Sequence, residues 1–284
     1  GIFAQAGNIG TLIIGEDLIG IGNCAFYECT GLDSISFGNG IKVIGNYAFA
    51  GCGSLRDVAI PDLCSLGQIG DHAFYSCTNL TKFTLPINVS YVGDYAFAEC
   101  RFLSDFVMCN YGDANDRSNL TELGWNVFEN CETLSSLTFP ANYNEAVDIS
   151  LVKGCKNLRY ITARSKKMTF TEKEDGDVYC FDCFKEMLSG DPVNGTFYFE
   201  GRDDSTIHSF TRENCFAFSY IDYNSETTQY EKLDKYELTV QDPNVTGKTG
   251  RSTYVVNSNN ELISSTVGEN VSTLEIPDPI GPYH

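Results

Sequence analysis

The sequence predicts a solenoid of stacked coils, each with a short strand and a short helical turn. Two observations predict it. A nine-residue unit closing on Phe-x-x-Cys is written five times and a worn sixth time, and a six-residue apolar pattern follows every copy. The units read IGNCAFYEC from Ile21, IGNYAFAGC from Ile44, IGDHAFYSC from Ile69, VGDYAFAEC from Val92, LGWNVFENC from Leu123 and VDISLVKGC from Val147. Their closing cysteines fall at steps of 23, 25, 23, 31 and 24 residues. A period in that range marks a repeat architecture in which no coil buries its apolar edge alone.

The strand comes from the second pattern. It reads LDSISF from Leu32, LRDVAI from Leu55, LTKFTL from Leu80, LSDFVM from Leu103, LSSLTF from Leu134 and LRYITA from Leu158, with an incomplete IGTLII from Ile9. Apolar residues hold positions 1, 4 and 6, and the alternation at the end is that of a half-buried strand. Pro61, Pro86 and Pro140 follow three of these runs, where no ladder hydrogen bond is lost. The helical turn comes from the first pattern. Its Gly suits a turn, and Asn46, Asp71 and Asp94 stand where they would cap a turn carrying the Ala-Phe pair. Phe26, Phe49, Phe74, Phe97 and Phe128, with Cys29, Cys52, Cys77, Cys100 and Cys131, are then expected as interior ladders at one height in every coil.

The combination LxxIxIP…IGxxAFxxC, from about Ile9 to Ala163, resembles the BspA-like (Treponema-type) leucine-rich repeats of bacterial and some protist surface proteins. Thr196 to Ile221 resembles the closing repeat of such proteins: a strand, a Gly-x-x-x-Ser turn, a short helix and a last apolar strand. The resemblance implies a right-handed α/β leucine-rich-repeat solenoid with a parallel β-sheet on the concave face. The expected organisation is a solenoid over 1–221, with an irregular insertion about 166–195 and a cap about 196–221, then a β-leaning extension over 222–284. That extension is either a further coil, suggested by Leu274-Glu-Ile276-Pro277, or a small β-module.

Composition bounds the function. The chain carries 38 acidic against 19 basic side chains, a net charge of −19, which argues against binding nucleic acid through phosphates. No apolar run reaches the length of a membrane span, and no signal peptide is read at the start. The repeat cysteines are expected as free thiols, because stacked side chains pointing one way pair poorly and buried Cys behaves as a compact hydrophobe. Such thiols fit an anaerobic or otherwise reducing habitat.

The period fails in two places. The 31-residue step holds an insertion, CNYGDANDRSN, which includes Tyr111, and Trp125 follows it. Trp125 reads either as an exposed aromatic anchor or as a side chain folded over the longer loop. The second break, 166–195, holds an acidic run and Cys180-Phe-Asp-Cys183. A zinc site there needs two more ligands, with only His208 and Cys215 nearby, and the acidic run lacks calcium-loop spacing, so no metal and no cofactor are expected. Tyr47, His72 and Tyr95 occupy one variable position of successive units and are expected to stack along an edge.

No catalytic motif is present, and none of His72, His208 and His284 stands in a triad setting, so no enzyme is expected. The resemblance implies protein–protein contact of an adhesion type, outside the cell or on its surface. The expected partner is a protein or glycan of a host or microbial surface, and the chain is expected to be a monomer. The candidate surface is the outward side of the strands, Arg56, Asp57, Lys82, Asp105, Arg159 and Tyr160, with Tyr111 and Trp125 at the loop. The rival reading is a passive spacer within a larger surface protein.

Overall fold

The computed structural model describes residues 1–108, 118–172, 184, 197–203, 205–214, 217–224, 229–241, 251–257 and 262–266. Two strands recur per coil. In chain order they are β1 Thr11–Ile13, β2 Gly20–Ile21, β3 Ser34–Ser36, β4 Val43–Ile44, β5 Asp57–Ala59, β6 Gln68–Ile69, β7 Lys82–Thr84, β8 Tyr91–Val92, β9 Asp105–Val107, β10 Glu122–Leu123, β11 Ser136–Phe139, β12 Ala146–Asp148, β13 Tyr160–Ala163 and β14 Thr169–Thr171. The odd-numbered strands carry the LxxIxI pattern and pair in parallel on the concave face in three groups, β1-β3-β5, β7-β9 and β11-β13, with Thr11 beside Ser34 beside Asp57, Lys82 beside Asp105, and Ser136 beside Tyr160. The even-numbered strands β2 to β10 form a second parallel ladder.

Between an even strand and the next odd one, the nine-residue unit is not a helical turn. Two residues of each of the first five units, the fourth and the eighth, adopt positive φ: Cys24 and Glu28, Tyr47 and Gly51, His72 and Ser76, Tyr95 and Glu99, Asn126 and Asn130. Every second N–H of the unit points toward the following coil. Tyr47, Phe49 and Gly51 N–H thus donate to Asp71, Ala73 and Tyr75 carbonyls, while Ala48, Ala50 and Cys52 close turns within their own coil. Every one of these polar groups is satisfied without a helix.

The side chains at the third position follow the same logic. Asn46, Asp71 and Asp94 are expected as local caps, and that expectation is overturned. Their Oδ1 atoms, and that of Asn23, accept the backbone N–H of the equivalent residue one coil on: from Asn23 onward, Asn46 at 2.8 Å, Asp71 at 3.0 Å, Asp94 at 3.0 Å and Trp125 at 2.8 Å. This ladder also explains the glycine before it. A Cβ on Gly70 or Gly93 would stand 2.3 Å from the Oδ1 of Asn46 or Asp71, so close approach rather than φ demands Gly there. Only the worn unit has a local cap, where Asp148 accepts from Ser150 N–H and starts a 3-10 turn, Ile149–Val152.

Inside, the rings of Phe3, Phe26, Phe49, Phe74 and Phe97 stack at 5.2–5.3 Å, near parallel. The step to Phe128, across the insertion, widens to 6.2 Å. Cys29, Cys52, Cys77, Cys100, Cys131 and Cys155 are buried and free, and each Sγ–H donates to the carbonyl of the Phe one coil back, at 2.9–3.3 Å. Burial pushes the Cys52 and Cys100 thiols up to about 12, so they stay protonated and can donate.

The solenoid closes with β15, Tyr198–Gly201, a helix α1, Thr206–Asn214, and β16, Ala217–Asn224, both strands parallel to β13. Ser205 Oγ accepts the His208 N–H and caps α1. Beyond it β17, Gln229–Gln241, β18, Arg251–Val256, and β19, Leu262–Thr266, extend the same sheet in antiparallel order. These described residues of the extension add strands and no further coil; Leu274–Pro277 lies outside them.

Candidate binding surface

The concave face changes character along its length. On the first coils its outward side chains stand in water. Asp57 and Lys82 are exposed, and Asp105 is half-buried. Arg56 Nε lies 3.6 Å from Asp33, and Lys82 Nζ lies 3.1 Å from Asp105 on the neighbouring strand. Both pairs keep about half or more of each side chain accessible, so solvent screens them and neither adds much stability.

From β13 onward the face is partly covered: Arg159, just before the strand, is still exposed and Tyr160 is half-buried, but the positions beyond them are closed over. Tyr160 stacks on its register partner Tyr198 at 5.5 Å, and Thr162 donates to its register partner Glu200 at 2.5 Å. Tyr198, Thr162 and Glu200 are all at least nine-tenths buried. Lys232, opposite Ile221 where β17 pairs with the far end of β16, reaches Glu200 Oε1 at 2.6 Å and the Tyr198 hydroxyl at 2.9 Å. Burial opposes charge on Lys232, but the hydrogen bonds to Glu200 and Tyr198 prevail and raise its pKa. Arg159 precedes this cluster; its N–H donates to Ser135 and its carbonyl accepts from Tyr198.

Trp125 sits apart from these strands, on the turn after β10, with 47% of its surface exposed. Its carbonyl accepts from Tyr95 N–H, and it ends the Asn/Asp ladder because an indole offers no acceptor to the next coil. On the preceding coils Tyr47, His72 and Tyr95 stack in turn, ring centres 4.5 and 4.9 Å apart. Burial lowers the His72 pKa against the opposing pull of Asp71 and Asp94, which keeps the middle ring neutral at pH 7. Tyr111 and the Cys180–Cys183 pair lie outside the described residues.

Sequence reasoning missed a buried polar network behind α1. Glu237 of β17, 1% exposed, accepts from Arg212 Nε at 2.5 Å and Nη2 at 2.7 Å, from Tyr220 at 2.6 Å, and lies 3.1 Å from His208 Nε2. Asp203 faces His208 Nδ1 at 3.4 Å, and Lys235 lies 3.8 Å from the Tyr220 ring centre. Burial alone would raise the Glu237 pKa, yet hydrogen bonds from His208, Arg212 and Tyr220 hold it down to about 2. The sequence carries no spacing that ties residue 237 to residues 203–220, so only the fold reveals this set. Among the described residues, no group of three or more His, Cys, Asp or Glu side chains is placed to hold a metal ion, and no helix is long and apolar enough to cross a membrane.

Comparison with known proteins agrees with this geometry. The BspA-type leucine-rich repeat region matches in six copies, over residues 1–117 and 103–183. No curated protein matches the chain. Among solved structures, a leucine-rich repeat protein of T. pallidum is 24% identical, covering 57% of this chain and 73% of its own, with a TM-score of 0.49. A leucine-rich repeat protein from Bacteroides ovatus is 20% identical, covering 68% of this chain and 55% of its own, with a TM-score of 0.43. A leucine-rich cell surface protein from Faecalibacterium prausnitzii is 18% identical, covering 58% and 60%, with a TM-score of 0.34.

Proposed function

The chain belongs to the BspA-type leucine-rich repeat family, and from that premise we propose that it is a non-enzymatic binding scaffold working outside the cell or on its surface. Its partner is a protein or glycan, and the recognition surfaces are the concave face of the first coils and, apart from it, Trp125 with the 109–119 insertion. The observation that carries this reading is the contrast between the two ends of the face: Arg56, Asp57 and Lys82 stand exposed on parallel strands of the first coils, while Thr162, Tyr198 and Glu200 are buried at the far end. Rigid strands presenting solvated charges cost little ordering entropy on binding. Pairs such as Lys82–Asp105 must exchange partners, so each site is weak and avidity comes from repetition.

The mutual satisfaction of those pairs also favours a second reading, a spacer that stiffens a larger surface protein. One experiment separates them. The native chain, a Trp125→Ala variant lacking 109–119, and an Arg56→Ala/Lys82→Ala variant are screened against immobilised extracellular-matrix proteins and microbial glycans. Binding by the native chain, reduced about tenfold or more in at least one variant, is expected. Binding that survives both variants removes this surface, and a native chain that binds nothing favours the spacer.

A further inference from the structure

One cluster on the concave face has the make-up of a ligand site and is already filled. Tyr160 and Tyr198 provide two stacked rings, and Glu200 provides a buried carboxylate whose second oxygen is held by Thr162. The occupant is the ammonium of Lys232. It lies 2.6 Å from Glu200 Oε1, 2.9 Å from the Tyr198 hydroxyl, 4.7 Å from the Tyr198 ring centre and 5.8 Å from that of Tyr160. Carboxylate, hydroxyl and aromatic faces converging on one charge are how proteins select a cation.

The way Lys232 arrives matters as much. It comes from the far end of the β16–β17 hairpin, beyond a register irregularity between Ser219 and Ile221. The residues holding it belong to successive solenoid strands, β13 and β15. Regular pairing of β16 with β17 on the near side, Ala217 to Ser219 against Leu238 to Tyr236, lies before that irregularity. The far pairs, Ile221 to Asn224 against Lys232 to Gln229, therefore form a separate short segment that Lys232 anchors.

We propose that Tyr160, Thr162, Tyr198 and Glu200 form a recognition site for a primary alkylammonium group, the side chain of a lysine, which Lys232 occupies in cis so that the β16–β17 hairpin closes this half of the concave face. A partner protein presenting a lysine competes for the same four residues, and the hairpin then releases. The biological use rests on the concave face being the recognition surface, but the site itself is tested without any partner.

Lys232→Ala removes the ammonium and three of the four methylenes, and because Lys232 stands exposed a four-carbon amine can enter with its tail in solvent. Thermal unfolding of this variant is followed with n-butylammonium chloride, and with tetramethylammonium chloride, which carries the same charge but no N–H to donate. The variant is expected to melt several degrees below the native chain, and butylammonium to recover at least half of the loss. Tetramethylammonium recovers none, and the native chain gains from neither. Lack of recovery, or an equal gain in the native chain, overturns the site. Should the alanine variant not fold, Lys232→Gln keeps the stem, and Glu200→Gln in the native background takes over the thermal comparison. Expected there is a similar drop in melting temperature, while an unchanged melt overturns the site. Amide exchange at 229–232 reads the closure: exchange roughly tenfold faster or more in Lys232→Ala, slowed again by butylammonium, is expected from the loss of charge-assisted hydrogen bonds. Unchanged exchange overturns the closure. Rescue without any matrix binding leaves the site standing and removes the recognition reading, whereas matrix binding without rescue does the reverse.

Discussion

The repeated coils and the strands that follow them are held together by opposite means. From Phe3 to Cys155 the main contacts recur from coil to coil: ring on ring, thiol to carbonyl and, as far as Trp125, Asx oxygen to N–H. From Tyr198 onward the contacts are singular, with a lysine seated between a carboxylate and two tyrosines and a glutamate gripped by His208, Arg212 and Tyr220. Copies distribute stability, since each coil leans only on its neighbours. Singular networks concentrate it in a few groups whose removal leaves a buried charge without a partner.

The largest effect expected from breaking this comparison lies in the ladder. Phe74 stacks on Phe49 and Phe97 and receives the edge of Phe83. Phe74→Ala therefore opens a cavity in the middle of the array and should cost about 4 kcal/mol in urea denaturation. Because both neighbouring coils lose a face, the transition should also broaden. A loss below about 1 kcal/mol would show that the stack is incidental to stability.

The second test moves to the singular network. Glu237→Gln presents an amide N–H₂ to donors already aimed at the carboxylate, and should cost about 3 kcal/mol at neutral pH. The pH dependence has a defined sign. The native pKa of Glu237, about 2, lies below the ordinary 4.5, so its contribution is complete above about pH 4.5 and is lost as the pH falls toward 2. The native chain should lose stability through that window and the variant should lose less. Identical acid limbs in guanidinium titrations would dissociate Glu237 from folding.

How much of this contrast was readable in advance follows from its causes. Ladders repeat, and repetition is visible in a string of letters; the position of Phe49 or Cys52 in its coil was fixed by Phe74 and Cys77 one period on. What the string concealed is the direction in which polar groups point. Asp71 looks like a cap because capping is what Asp does at a helix start, and only the neighbouring coil, 23 residues later, shows that it serves Asp94 instead. Positive φ at Tyr47, His72 and Tyr95 was equally hidden, since bulky residues seldom adopt it and the coil stacking imposes it. Tyr198 and Glu200 occupy the same register as Tyr160 and Thr162, so the closing strand held a legible clue. Lys232 and Glu237 reach back across antiparallel strands, with no period to announce them.

The smallest effect separates the strain within the copies from their packing. Positions eight of the units are left-handed in every coil, and two of them are glycine, Gly51 and Gly154 at φ +76°. Ser76 holds the same position at φ 58°. A left-handed L-residue carries roughly 1–2 kcal/mol of steric cost, and glycine removes it while adding about 0.5–1 kcal/mol of unfolded-state entropy. Ser76→Gly should therefore raise stability by about 0.5–1 kcal/mol, visible as a small rise in the urea midpoint at unchanged slope. A destabilisation instead would mean that the Ser76 side chain contributes packing that outweighs the strain. The sign matters more than the size: a gain shows that the coil geometry is dictated by inter-coil hydrogen bonds such as Ser76 N–H to Ala98 O, which force the backbone into a region its own residue resists.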